Sequence, residues 1–338
     1  MISAPTTTIY GIQYLRAVAA LGVVVFHAAE RTGHHFAIGA AGVDVFFVIS
    51  GFIMWVISQR RPVSPLAFLR DRIQRIAPIY WLATAVMVIG GVVGLFPNLV
   101  LSNAHVLSSL LFIPMRSPSS GEIWPVLVQG WTLNYEMFFY AVFALTLLLP
   151  RSRRLPAIAG CFSALVAIGF AVDSDNALFV TYTRPIILEF VAGMIVAELW
   201  LRGRVPGAMS GLMLVAGAFS GFAAVAVLRL PFDEFILGPL AVMLVLGTLA
   251  LEAQGWFRPS RLPMMLGDAS YSIYLWHTFA ISVVVKACGM MGIGLLTSAL
   301  LAVIAGTALG VFAYLLIEKP LATRLRSGFF SRPVQHTA

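Results

Sequence analysis

Charge is scarce in this chain. Asp, Glu, Lys and Arg make up 11 % of its 338 residues, and only two of the 22 basic residues are lysine. So few charges cannot clothe a water-exposed domain of this size, which excludes an ordinary soluble globule. Cysteine is scarcer still. Cys161 and Cys288 both lie in apolar runs, make neither a disulfide framework nor a zinc site, and read as packing residues. No glycine-rich phosphate loop, metal-ligand spacing or serine-hydrolase elbow occurs, and no internal repeat. These absences leave nucleotide hydrolysis, metal chemistry and serine hydrolysis without their usual signatures.

What the chain does have is apolar length. Sixty per cent of it is hydrophobic, and the mean hydropathy is +0.93, the composition of an all-α polytopic membrane protein. Apolar runs cover residues 10–28, 40–58, 78–96, 131–149, 156–172, 178–200, 207–228, 234–252, 271–290 and 295–317, which predicts a bundle of about ten transmembrane helices. Residues 1–9 carry no basic residue and no small-residue cleavage site, so the first run reads as a retained span. The net charge of +8 suggests no nucleic-acid partner, because the arginines sit between spans. Arg60, Arg61, Arg70, Arg72 and Arg75 follow the second run. Arg151, Arg153 and Arg154 follow the fourth, Arg202 and Arg204 the sixth, Arg258 and Arg261 the eighth, and Lys319, Arg324 and Arg326 the tenth. The alternate loops are poor in positive charge. The positive-inside rule then puts both termini in the cytoplasm. Residues 97–130 fall outside on this topology. Their apolar stretch Val106–Met115 is too short to span and predicts a re-entrant or interfacial lid. The tail from Ser327 reads as disordered.

Against this background a few polar residues stand out. Arg16 and His27 lie in the first run, eleven residues apart, which puts them on one helical face about 16 Å apart along the axis. They read either as a snorkelling arginine with an interfacial histidine or as a polar track, a fixed cation at one depth and a titratable base at another. Arg72 and Arg75 are one helical turn apart. They suit paired contacts with phosphates, or with anionic lipid headgroups. Glu136, near the outer end of the fourth run, matches the expected depth of His27. It either orients that histidine or bonds a neighbouring helix. Asp44 reads as a cap or a histidine partner, Ser50 and Gly51 as a close-packing point, and Asp268 or Ser270 as a helix cap. Ser270, Tyr274 and His277 share a face, His277 reading either as a bonded structural histidine or as a second base. Arg184, Glu189 and Glu198 serve acceptor binding or inter-helix bonding. Pro320 is expected to stop the last helix.

The Arg16/His27 pair, GVDVFFVISGF (42–52), FLRDRIQRIAPIYW (68–81), WTLNYEMFFY (131–140), GDASYSIYLWHTF (267–279) and the late IEKP (317–320) together resemble the membrane-bound acyltransferase-3 family. The closer likeness is to its exopolysaccharide O-acetyltransferase branch. The resemblance runs over residues 8–322 and leaves 323–338 as a short cytoplasmic tail. It implies a multi-pass protein of a bacterial inner membrane. Its co-substrate would be acyl-CoA, above all acetyl-CoA, and no metal. Its acceptor would be a sugar hydroxyl of an exopolysaccharide or lipid-linked oligosaccharide, with other glycan-assembly proteins as partners. By position, Arg16, His27 and Glu136 are the implied catalytic residues, and Arg72, Arg75 and Arg16 the implied donor-binding ones. A glycan-precursor transporter or flippase is the alternative, since intramembrane Arg, His and Glu also suit a substrate path. It would favour inverted repeats, and the sequence has none.

Overall fold

In lipid, every backbone N–H and C=O must find its partner within the protein, so long apolar runs fold as helices. The computed structural model describes residues 8–60 and 62–330 and has no strand among them. The apolar runs form α1 (Tyr10–Arg31), α2 (Gly42–Arg60), α3 (Pro65–Val92), α5 (Trp131–Thr146), α6 (Arg151–Ala171) and the pair α7 (Ala177–Tyr182) and α8 (Leu188–Leu201). They continue as α9 (Ala208–Leu228), α10 (Glu234–Ala253), α11 (Arg261–Met290) and α12 (Leu295–Ala313). Two further helices, α4 (Asn103–Leu110) and α13 (Lys319–Phe330), lie outside these runs. Among the described residues, eight helices are long and apolar enough to cross a membrane. The predicted count of ten needs α5, with 16 residues, and α8, with 14, to cross as well.

The helix ends follow capping chemistry. Ser64 accepts from the Ala67 N–H and Pro65 occupies the first turn of α3, where its missing N–H costs nothing. Asp233 caps α10 through the Phe235 N–H at 2.7 Å. α1 has no side-chain cap of its own. Instead Glu252, in the last turn of α10, accepts from the N–H groups of Tyr10 and Gly11 at 3.0 and 2.7 Å. A carboxylate from another helix thus satisfies two orphan donors and complements the helix dipole.

Glycines decide which helices touch. A Cβ on Gly51 would lie 2.0 Å from the Phe190 carbonyl oxygen, and one on Gly193 2.0 Å from that of Val48. Only glycine allows α2 and α8 to approach so closely. The two run parallel, for Asp44 lies beside Glu189 near one end and Trp55 bonds Glu198 at 2.7 Å near the other. α1 and α11 also run parallel, with Gln13 against Asp268, Arg16 against Ser270 and His27 against His277 in matching order. α12 returns along α11, its Gly306 on His277 and its Gly310 on Ile273. Aromatic contacts join α2, α5 and α8, with Phe190 stacked on Phe139 at 4.4 Å between centroids and tilted against Phe47 at 4.7 Å.

Three sequence expectations change. α11 begins at Arg261, so Asp268 and Ser270 lie two turns inside it and neither caps it. Asp268 accepts from Gln13 at 3.0 Å instead. Pro320 does not end the last helix. A π-turn over Tyr314–Glu318 absorbs the break, and Pro320 then sits in the first turn of α13, which runs to Phe330. The tail expected from Ser327 therefore starts inside a helix, and its remainder, 331–338, lies outside the described residues. Residues 97–130 contain the short α4 and are tied down. Trp81 donates to the Leu110 carbonyl at 2.8 Å, the Val126 N–H to Ser109 at 2.9 Å, and His105 bonds the Trp124 carbonyl at 2.8 Å.

Candidate active site

α3 begins at Pro65, so Arg72 and Arg75 lie on a helix, as their spacing supposes, and project from the same side one turn apart. α1 brings Arg16 to the same place from the other side, and α5 brings Glu136. These four residues line one cavity of about 100 Å³ between α1, α2, α3, α5 and α11. Its polar wall is completed by Ser50, Tyr140, Ser270 and Tyr274. Its apolar wall is built from α2 residues such as Phe46, Ile49 and Ile53.

The guanidinium of Arg16 is held in a fork. One nitrogen donates to Gln13 Oε1 and the other to Ser270 Oγ, each at 2.9 Å. Both partners are neutral, so neither cancels the charge. Arg72 lies over the Phe68 ring, 5.9 Å from its centroid, and its Nε is buried without a hydrogen-bond partner. A buried arginine nitrogen left unpaired is costly and marks a place where a ligand oxygen would be welcome. Glu136 is already engaged. It accepts from Ser50 Oγ at 3.1 Å and from the Tyr140 hydroxyl in a short bond. Three guanidiniums against one committed carboxylate leave the cavity cationic, with geometry suited to phosphate.

His27 stands elsewhere. It does not line this cavity. Its ring packs against Phe26 and against His277, 5.1 Å between centroids. The carboxylate beside it is Glu30, 3.7 Å from Nδ1. The expected match in depth between His27 and Glu136 does not hold: Glu136 lines the cavity beside Arg16, about three turns of α1 from His27. Glu136 bonds α2 and its own helix, and Glu30 occupies the orienting position. The signal for Glu30 was local: it is three residues after His27 and one turn along the same face. Tyr140, one turn after Glu136, and Gln13, one turn before Arg16, were legible in the same way.

The remaining candidates lie outside this cavity. Arg184 pairs with Glu234 of α10, not with Glu189, whose carboxyl lies beside Asp44. Glu198 accepts from Trp55 and from Arg202 Nε, each at 2.7 Å. Asp44, in the first turn of α2, lies beside Glu189. Cys161 and Cys288 are free, and no cluster of metal-binding side chains occurs among the described residues.

Comparison with known proteins adds to this geometry. The family model described as "Acyltransferase domain" matches residues 9–318. The chain is 63 % identical over 304 residues to the exopolysaccharide production protein ExoZ of Rhizobium meliloti strain 1021, covering 90 % of this chain and 96 % of that one. It is 27 % identical over 314 residues to the acyltransferase MdmB of Streptomyces mycarofaciens, covering 79 % and 77 %. It is 26 % identical over 319 residues to the O-acetyltransferase OatA of Staphylococcus aureus, covering 79 % of this chain and 49 % of that protein. No solved structure matches.

Proposed function

The chain belongs to this acyltransferase family, and from that premise we propose that it moves an acetyl group from acetyl-CoA to a sugar hydroxyl of an exopolysaccharide or its lipid-linked precursor. The observation that carries the reading is the convergence of Arg16, Arg72 and Arg75 on one cavity, with His27 three turns further along the same face of α1. CoA is a polyanion whose reactive thioester sits at the end of a long arm. Arg72 and Arg75 take its phosphates, and Arg16 holds the arm or the thioester end. Glu136, through Ser50 and Tyr140, keeps α2 and α5 in register beside the arginines. The name of the O-acetyltransferase relative points to the same acyl group, and that of the exopolysaccharide production protein to the acceptor.

In this scheme His27 takes the proton of the attacking hydroxyl, with Glu30 beside Nδ1 to orient the ring. No metal is required. The test uses radiolabelled acetyl-CoA and purified protein in nanodiscs with the extracted polysaccharide precursor. Label should appear in the glycan as alkali-labile ester, and deletion of the protein in cells should remove the corresponding acetyl from the surface polysaccharide. Unchanged acetyl content in the deletion strain would overturn the reading.

The scheme also needs the arginine-rich cavity to face the cytoplasm. Ten crossings with both termini inside, as the arginine distribution implies, provide that. Reporter fusions after Arg75, Arg154 and Arg326 should read cytoplasmic, and those at Ser119 and Asp175 extracytoplasmic. A cytoplasmic signal at Ser119 would reverse the placement of the lid and of the outer end of α5.

A further inference from the structure

A groove between α1 and α9 has no part in the scheme above. Glycines explain why it exists. Gly211, Gly217 and Gly221 seat α9 on α10, which leaves α9 apart from α1. A 3-10 turn over Ala37–Ala41 bridges the two. Its Gly39 rests on α1, where a Cβ would lie 2.3 Å from the Gly22 carbonyl oxygen, and its Ala41 packs with Val225 of α9. The walls are small and apolar, with Ala19 and Gly22 on one side and Ala223 and Ala226 on the other. Val18 of α1 and Phe219 of α9 are each about half exposed along it. Water finds no polar partners on such walls, whereas an aliphatic chain matches them. The basic residues of the lining are His35 and Arg229, and among the described residues no carboxylate lines it. Arg229 ends α9 in the left-handed region, at φ 51°, a conformation that residues with a Cβ rarely adopt and that clusters at functional sites. The acids that follow it are engaged elsewhere, Asp233 in capping α10 and Glu234 with Arg184.

We propose that this groove holds the polyisoprenyl chain of a lipid-linked acceptor, with the lipid's phosphate against His35 and Arg229. The proposal rests on the reading of the acceptor as a lipid-linked glycan precursor. Walls of glycine and alanine leave room for the methyl branches of an isoprenoid, and a cationic mouth without a carboxylate suits a phosphate. A bulk phospholipid needs only the apolar walls. An acceptor lipid must also bring its sugars to the base, and the mouth is placed for that. His35 follows the C-terminal end of α1, the end that carries His27, and the side chain of His27 is 30 % exposed. A sugar chain attached beyond the phosphate extends over this end of α1 towards it. Leu15, Ala19 and Gly22, which line the groove, are turned roughly 100° round the helix from Arg16 and His27. The acceptor's chain and the donor in the arginine cavity therefore occupy different faces of α1 and do not compete.

Two substitutions test the groove from positions outside the arginine cavity. Ala223→Trp fills it from an exposed position of α9, where the added bulk costs the fold little. Arg229→Gln removes the charge at its mouth. With the extracted lipid-linked precursor as acceptor, each should raise KM on the order of 10-fold, the scale of one hydrogen bond to a charged group, at unchanged kcat, because chain and phosphate bind alike before and during transfer. Acetyl-CoA affinity should stay that of wild type in both. Wild-type KM for the precursor in Ala223→Trp overturns the proposal. A second measurement needs no transfer. In nanodiscs of phosphatidylglycerol, where a bulk anionic lipid is always in excess, a photoreactive analogue of undecaprenyl monophosphate should label α9 and residues 35–42. Labelling should fall on the order of 10-fold in Ala223→Trp and in Arg229→Gln. No labelling of wild type, or equal labelling in wild type and Ala223→Trp, makes the groove a seat for bulk lipid and overturns the proposal. If labelling falls as expected while the wild type acetylates no glycan, the lipid site stands and the acetyl-transfer reading falls.

Discussion

Replacement of Arg16 by lysine is expected to lower acetyl transfer on the order of 100-fold or more, close to the loss in Arg16→Ala. The charge survives this change and the fork does not. Arg16 holds Gln13 with one nitrogen and Ser270 with the other, each at 2.9 Å, and still has donors left for a ligand. An ammonium on a flexible stem cannot reproduce that planar arrangement. Losing one pre-aligned donor at a reacting centre costs roughly 10²–10³ in rate. The bond to Ser270 also ties α1 to α11, so part of the loss could come from helix placement alone. Calorimetric affinity for acetyl-CoA separates the two, because a donor-binding arginine weakens affinity in both variants. Wild-type affinity in Arg16→Ala would put Arg16 off the donor path. Arg72→Ala and Arg75→Ala should each weaken binding more mildly, since two guanidiniums remain in the cavity in either case.

The second large effect belongs to His27. His27→Ala is expected to reduce acetylation by roughly 10²–10⁴, the usual cost of losing a general base, while the protein still inserts and accumulates. The half-exposed ring of His27 contributes ring contacts with Phe26 and His277 and no hydrogen bond that holds two helices together. Its removal therefore costs the bundle little. Acetyl content of the glycan, normalised to protein level in the membrane, is the measurement. Near-normal acetylation would remove His27 from the chemistry. Glu30→Gln, which keeps the side-chain shape and removes the charge beside Nδ1, should have a smaller effect. Glu30 is exposed, and its distance of 3.7 Å is that of a loose ion pair.

Much of this was legible in the sequence, for reasons that differ from residue to residue. Apolar length and scarce charge dictate a helical membrane protein, because backbone polar groups in lipid have no other way to be satisfied. The spacing of Arg16 and His27 fixes their shared face, since helical periodicity is a local property. The same periodicity sets Arg72 beside Arg75 and holds Tyr140 within reach of Glu136. The segment GVDVFFVISGF contains small residues at which helices meet. Gly51, buried against Phe190, is the clearest of them.

What periodicity does not encode is which face meets which. Glu136 was expected at the depth of His27, yet it lines the cavity beside Arg16, because the order of residues along a span does not fix where its helix sits against its neighbours. The packing of α2 against α8 and of α5 against both turned Glu136 towards Ser50 and the arginines. The close pairing of α1 with α11 gave His27 a histidine for a neighbour. Ser270 and Arg16, which bond at 2.9 Å, are 254 residues apart in the chain, and His27 and His277 are comparably distant. Local chemistry thus determined the helices and the residues on each face. The tertiary structure alone decided the partners, because a contact between helices depends on where glycines let two backbones approach, a property of the pair and not of either helix.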